Sequence, residues 1–131
     1  KPYRLEMGTK LKTSKGKNLY EFWDKRVQEN VLDDLASQKS DLLINLASKE
    51  YFGVLGKMPD YINVVSPAFK DFKNGKHKII SFYAKRARGL MAKWIIEKNI
   101  KDFEQLSKFN LDGYYFSKAE SSAAEPVFLR D

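Results

Sequence analysis

The sequence predicts a mixed α/β fold of the α+β kind, an antiparallel hairpin-containing sheet packed with helices. Three observations lead there. Asn74-Gly75 lies between two extended apolar runs, the strongest short hairpin signal. Two segments, from about Leu19 to Ser37 and from Ala84 to Lys98, carry apolar residues at helical spacing. The predicted elements run β, α, β, α, β, β, α, α, β, β, without the alternating βαβ units of a doubly wound sheet.

Each element has its own signature. Tyr3-Arg4-Leu5-Glu6-Met7 alternates as a half-buried strand does. Asn18 is a suitable helix N-cap, and Leu19, Phe22, Trp23, Val27, Val31, Leu32 and Leu35 then recur on one helical face. Asp41 to Ala47 reads as a buried strand. Ser48 is placed to cap a short helix with Glu50 and Tyr51 in its first turn, before Gly53, Gly56 and Pro59 interrupt the chain. Tyr61–Phe72 and Lys76–Tyr83 form the extended runs of the hairpin. Pro67 marks the first as an edge strand or a bulge, and His77 reads as an exposed residue near the hairpin tip. In the helix that follows, Ala84, Ala87, Leu90, Met91, Trp94 and Ile95 share a face. Arg88 falls at its apolar border, Lys85 to one side, and Arg86 and Lys93 on the solvent side. A short helix near Asp102–Ser107, a strand at Gly113–Phe116, a polar loop at Ser117–Glu125 and a strand at Val127–Arg130 complete the order.

A chain of 131 residues, 43% hydrophobic and 14% aromatic, is long enough to bury a core and reads as one segment, residues 1–131. No apolar run approaches the roughly 20 residues that cross a bilayer, so no membrane partner is expected. Cysteine is absent, which excludes disulfides, thiolate catalysis and Cys-ligated metals and suits a reducing cytoplasm. With His77 the only histidine, no metal and no cofactor are expected. The opening Lys1-Pro2-Tyr3 and the strand-like ending suggest one piece of a longer protein.

Charge is unevenly distributed. The chain carries 24 Lys+Arg and 17 Asp+Glu, a net charge of +7. Lys70 to Lys101 holds ten basic residues against Asp71 and Glu97, and Lys1 to Lys17 six against Glu6, while the remainder is net acidic. Such clustering is the electrostatic footprint of a polyanion binder. Lys85-Arg86-Ala87-Arg88-Gly89 is its centre. If the helix opens at Ala84, three cations stand in a first turn where the macrodipole favours anions, as they would around a bound phosphate.

Three segments together resemble one family. They are Pro2-Tyr3-Arg4-Leu5-Glu6-Met7-Gly8; Ile44-Asn45-Leu46-Ala47-Ser48 with Glu50-Tyr51-Phe52; and Asn74-Gly75-Lys76, Lys78 to Lys85, and Ala87-Arg88-Gly89-Leu90-Met91. In order and content they resemble the motifs of the YaaA family, bacterial peroxide-stress proteins. The resemblance runs nearly end to end and matches the C-terminal half of such a protein. It implies a cytoplasmic protein with a family-specific fold, completed by the missing N-terminal half. It also implies binding to duplex or branched DNA through a basic cleft, with little sequence preference, and limitation of iron-mediated damage during peroxide stress. A helix-hairpin-helix element is attributed to the family. Glu104 to Asn110 approaches one, but Lys108 stands where the pattern wants glycine.

Two functional readings follow. In the first, Arg4, Lys76, Lys78, Lys85, Arg86, Arg88 and Lys93 bind nucleic acid through its phosphates. The competing structural role for Arg4 and Arg88 is an internal ion pair, for example with Glu6 or Glu50. In the second, Glu6, Asn45, Ser48, Glu50 and Tyr51 line a polar pocket with Lys85 and Arg88, in which an enzyme acts on a nucleotide or nucleic acid by general acid–base chemistry. No catalytic residue is assigned, because no recognised catalytic spacing is present. Direct iron sequestration is disfavoured by the lack of Cys and the single His.

Overall fold

The computed structural model describes residues 19–23 and 25–131, so Arg4, Glu6, the first predicted strand and the Asn18 cap lie outside the described residues. The chain divides into two compact units. One combines the described residues up to Asp41 with Ala47–Ile62, and the other combines Leu42–Leu46 with Asn63–Asp131.

The described residues of the first unit are helical. The single helix expected from Leu19 to Ser37 is two helices, α1 (Leu19–Trp23) and α2 (Arg26–Ser37). The guanidinium of Arg26 donates to the carbonyl of Phe22 at 2.7 Å, occupying an acceptor at the end of α1. Val27, Val31, Leu32 and Leu35 form the buried or half-buried stripe of α2, as their spacing predicts. Ser48 caps α3 (Lys49–Phe52), its hydroxyl accepting from the amide of Tyr51, and a 3₁₀ turn, Gly53–Leu55, follows. The amide of Gln28 donates to the carbonyls of Leu55 and Lys57, both at 2.8 Å, which ties that turn to α2.

The second unit holds the two sheets of the described residues. Strand β1 (Leu42–Ile44) pairs in parallel with β2 (Asn63–Val65). Strands β3 (Ala68–Lys73), β4 (Lys76–Lys78), β5 (Tyr115–Ser117) and β6 (Val127–Arg130) make a four-stranded sheet in the order β4-β3-β6-β5. The β3–β6 pair is parallel and the two outer pairs are antiparallel. The Asn74-Gly75 hairpin forms as predicted. Both residues have positive φ, 55° and 80°, the geometry of a type I′ turn.

Several expectations are corrected. Pro67 does not mark β3 as an edge, since β3 has neighbours on both sides. It separates β2 from β3 as the chain passes between sheets, and Ser66 and Ala68 donate to the carbonyls of Ala124 and Pro126. The run Ile79–Tyr83 is not a strand through its length, because helix α4 spans Ser81–Lys98. Its aromatic residues look strand-like locally, yet Phe82 and Tyr83 are exposed while Ala84, Ala87 and Met91 are buried, and that one-sided packing sets the helix. His77 is a half-buried strand residue opposite Phe72, and its Nε2 lies 2.8 Å from Oδ1 of Asp131.

The core of this unit is aromatic. Phe69, Phe109, Tyr114 and Phe128 are buried with Ala84, Ala87, Met91 and Leu106, with Leu90, Trp94 and Ile95 of α4 packed against them. Helix α5 (Phe103–Leu106) is capped by Asp102, which accepts from the amide of Gln105. It leads through the turn Leu111–Gly113 into β5, so this stretch is helix, turn and strand rather than a helix-hairpin-helix.

Candidate functional site

The basic residues gather on β4 and α4. On β4, Lys76 and Lys78 flank His77 and point to the other face of the sheet from it. Register places Lys76 directly across from Lys73. Two like charges so paired are destabilising in isolation and gain from an anion between them.

Because α4 begins at Ser81, Lys85, Arg86 and Arg88 lie in its second turn, not its first. Their own amides are inside the helix, so the anion-capture argument from free helical N–H groups does not hold for them. Lys85 is exposed and Arg88 is half-buried at the apolar border where the helical wheel places it. Arg86 and Lys93 are partly compensated, at 3.9 Å by Asp112 and 3.8 Å by Glu97. Among the described residues, Lys73, Lys76, Lys78, Lys85 and Arg88 make no ion pair.

A second cluster, which sequence reasoning missed, fixes this helix to the sheet. Asp71 is buried and stands in register with Arg130 on the neighbouring strand. Its Oδ1 accepts from Nε of Arg130 at 2.5 Å, and its Oδ2 accepts from the phenol of Tyr114 at 2.8 Å. Nη1 of Arg130 donates to Oδ2 of Asp112 at 2.9 Å. The guanidinium lies over two rings, 4.6 Å from the centre of Tyr114 and 4.9 Å from that of Tyr83 in α4. Gly113, at φ +82°, lets the turn run close to Arg130; a Cβ there would meet Arg130 Cδ at 3.4 Å. A signal did exist, since Asp71 and Arg130 follow Phe69 and Phe128 by two residues and so occupy core-facing strand positions.

Burial first, then the hydrogen bond to Asp71 and its negative charge, push the Tyr114 phenol well above its ordinary value of 10. Burial alone would lower Arg130, but the hydrogen bond to Asp71 and the surrounding negative groups hold it above its ordinary value. The sign for Tyr114 is direct. A folded-state value above the unfolded one gives stability that is present in full below about pH 10 and lost as pH rises through the folded value. We expect alkaline destabilisation that begins near pH 10 and is reduced in Tyr114→Phe, followed by denaturant midpoints from pH 8 to 11. An identical alkaline loss in both proteins would exclude Tyr114 as its source.

The residues predicted for the polar pocket fall in both units, with Glu6 outside the described residues. Ser48, Glu50 and Tyr51 belong to the first unit and Asn45 to the second. The Ser48 hydroxyl serves as the α3 cap, and Asn45 donates to the hydroxyl of Ser66 at 3.2 Å. Among the described residues, no group of three or more His, Asp or Glu side chains is placed to hold a metal, and no helix is long and apolar enough to cross a membrane.

Comparison with known proteins decides the family. Residues 1–120 match the model of the family described as peroxide stress protein YaaA. The chain belongs to this family. A UPF0246 protein of Shewanella denitrificans is 53% identical over 130 residues, covering 99% of this chain and 50% of that protein. A UPF0246 protein of Aliivibrio fischeri is 52% identical over the same length, again 99% of this chain and 50% of the relative. The chain thus spans about half the length of the curated relatives it matches. The YaaA-like segment from Asn74 to Met91 is the β3–β4 turn, β4 and the first half of α4, and Lys76, Lys78, Lys85 and Arg88 fall within it.

Proposed function

We propose that this chain supplies part of a DNA-binding surface in a peroxide-stress protein of the YaaA family. Lys76, Lys78, Lys85 and Arg88 hold the sugar–phosphate backbone, with Arg4, Arg86 and Lys93 adding attraction. The observation that carries this reading is the cluster of cations on β4 and α4 without partners among the described residues. Arg130 and Lys70, by contrast, are paired with carboxylates. Phosphate neutralisation releases condensed counterions. Ferrous ions held on DNA are cations of that kind, so the same contacts limit iron-mediated damage where it is generated.

The test is duplex-DNA binding by the intact protein across a salt series. Lys85→Ala and Arg88→Ala should each weaken binding and lower the slope of log K against log salt by about 0.9 for every phosphate that is no longer neutralised. Unchanged affinity and slope in both, with folding intact, would reject the reading and make a screen of nucleotide ligands the next step.

A further inference from the structure

Gly89 has no reason within the described structure to be glycine. It lies inside α4, where its φ is not positive, and a Cβ built on it meets nothing within 4 Å. Neither backbone conformation nor packing against the described residues asks for it, and an interior helical glycine weakens a helix relative to alanine. Its setting on the helix is distinctive. Residues seven apart return to nearly the same bearing, so Phe82, Gly89 and Ile96 share the outer face, and Phe82 and Ile96 are 72% and 80% exposed. The helical neighbours of Gly89 at i−4, i−3 and i+4 are Lys85, Arg86 and Lys93. The Arg86 and Lys93 ion pairs are long and exposed, a kind that contributes little and exchanges readily for another anion.

We infer that Gly89 is the point where the sugar–phosphate backbone of bound DNA passes closest to α4. The missing side chain leaves a shallow seat, and Lys85, Arg86 and Lys93 reach phosphates on either side of it. This inference rests on the DNA-binding reading and adds the mode of contact. Recognition at α4 is by backbone and shape, so it is indifferent to base sequence. Three cations around the seat favour a polyanion over an apolar protein surface.

The experiment compares intact wild type with Gly89→Ala and Gly89→Leu, measuring melting temperature and affinity for two duplexes of unrelated sequence. Gly89→Ala should raise the melting temperature by about 2–4 °C and weaken binding to both duplexes several-fold, with Gly89→Leu weaker still. Opposite signs in stability and binding are the signature. A lowered melting temperature would overturn the inference, because it would mean that another part of the protein packs on Gly89. Wild-type affinity in both variants would overturn it too, leaving the binding role of Lys85 and Arg88 standing. Failure of the wild type to bind either duplex would remove the DNA reading itself and this inference with it.

Discussion

Asp71→Ala is expected to destabilise the intact protein by about 3 kcal/mol, the lower end of the cost of breaking a buried ion pair from one side. The loss comes from what is left behind. Tyr114 is buried and its phenol donates to Asp71, so the substitution strands a buried hydroxyl. Arg130 is deprived of its in-register acceptor and keeps Asp112, and that surviving interaction, on the more exposed side, is why the lower end applies. The consequence extends to α4. Arg130 stacks on Tyr83, and Asp112 faces both Arg130 and Arg86, so one carboxylate on β3 holds the guanidinium that orients the start of the basic helix. Tyr114→Phe removes only the hydroxyl side of the network and should cost about 1 kcal/mol. Urea unfolding reads both values. A loss below that of Tyr114→Phe would show that Arg130 is satisfied equally well without Asp71.

The same cluster shows where sequence reading succeeds and where it stops. The Asn74-Gly75 hairpin was legible because a type I′ turn needs two residues tolerant of positive φ, and few pairs supply them. The apolar face of α4 was legible because Ala84, Ala87, Met91 and Trp94 repeat with the helical period. The helix start was not, because Ile79 to Tyr83 combines β-branched and aromatic residues whose local preference is extended, and only burial of Ala84 and Ala87 against the sheet sets the boundary at Ser81. The Asp71–Arg130 pair was hidden for a related reason. Its members are 59 positions apart, and they meet only because β3 and β6 lie parallel side by side, a topology that period and propensity do not specify. The basic segment itself was plain from charge counting. The pairing of Arg86 is a property of the turn at Asp112, so Arg86 and Arg88, two residues apart, differ in a way that their sequence does not announce.

Phe128→Ala should be at least as costly as Asp71→Ala, at about 3–5 kcal/mol, a large share of the stability of a domain this size. Phe128 is fully buried on a central strand, with its ring 5.4 Å from Phe69, 5.7 Å from Phe109 and 5.8 Å from Phe116. These rings come from β3, β5 and the segment after α5, so its removal opens a cavity where three parts of the second unit meet. Collapse into that cavity is restricted. Phe69 is held by edge contacts to Phe109 and Tyr114, and Phe109 by Trp94 of α4. Motion toward the void would therefore break aromatic contacts elsewhere, and the cost of a large-to-small change rises when its surroundings cannot relax. Phe128→Leu keeps most of the volume and should cost less. Phe82→Ala, on the exposed face of α4, should change stability by no more than about 0.5 kcal/mol. Comparable losses in Phe82→Ala and Phe128→Ala would mean that the outer face of α4 is packed in the intact protein, and that the seat at Gly89 is covered by protein rather than open to DNA.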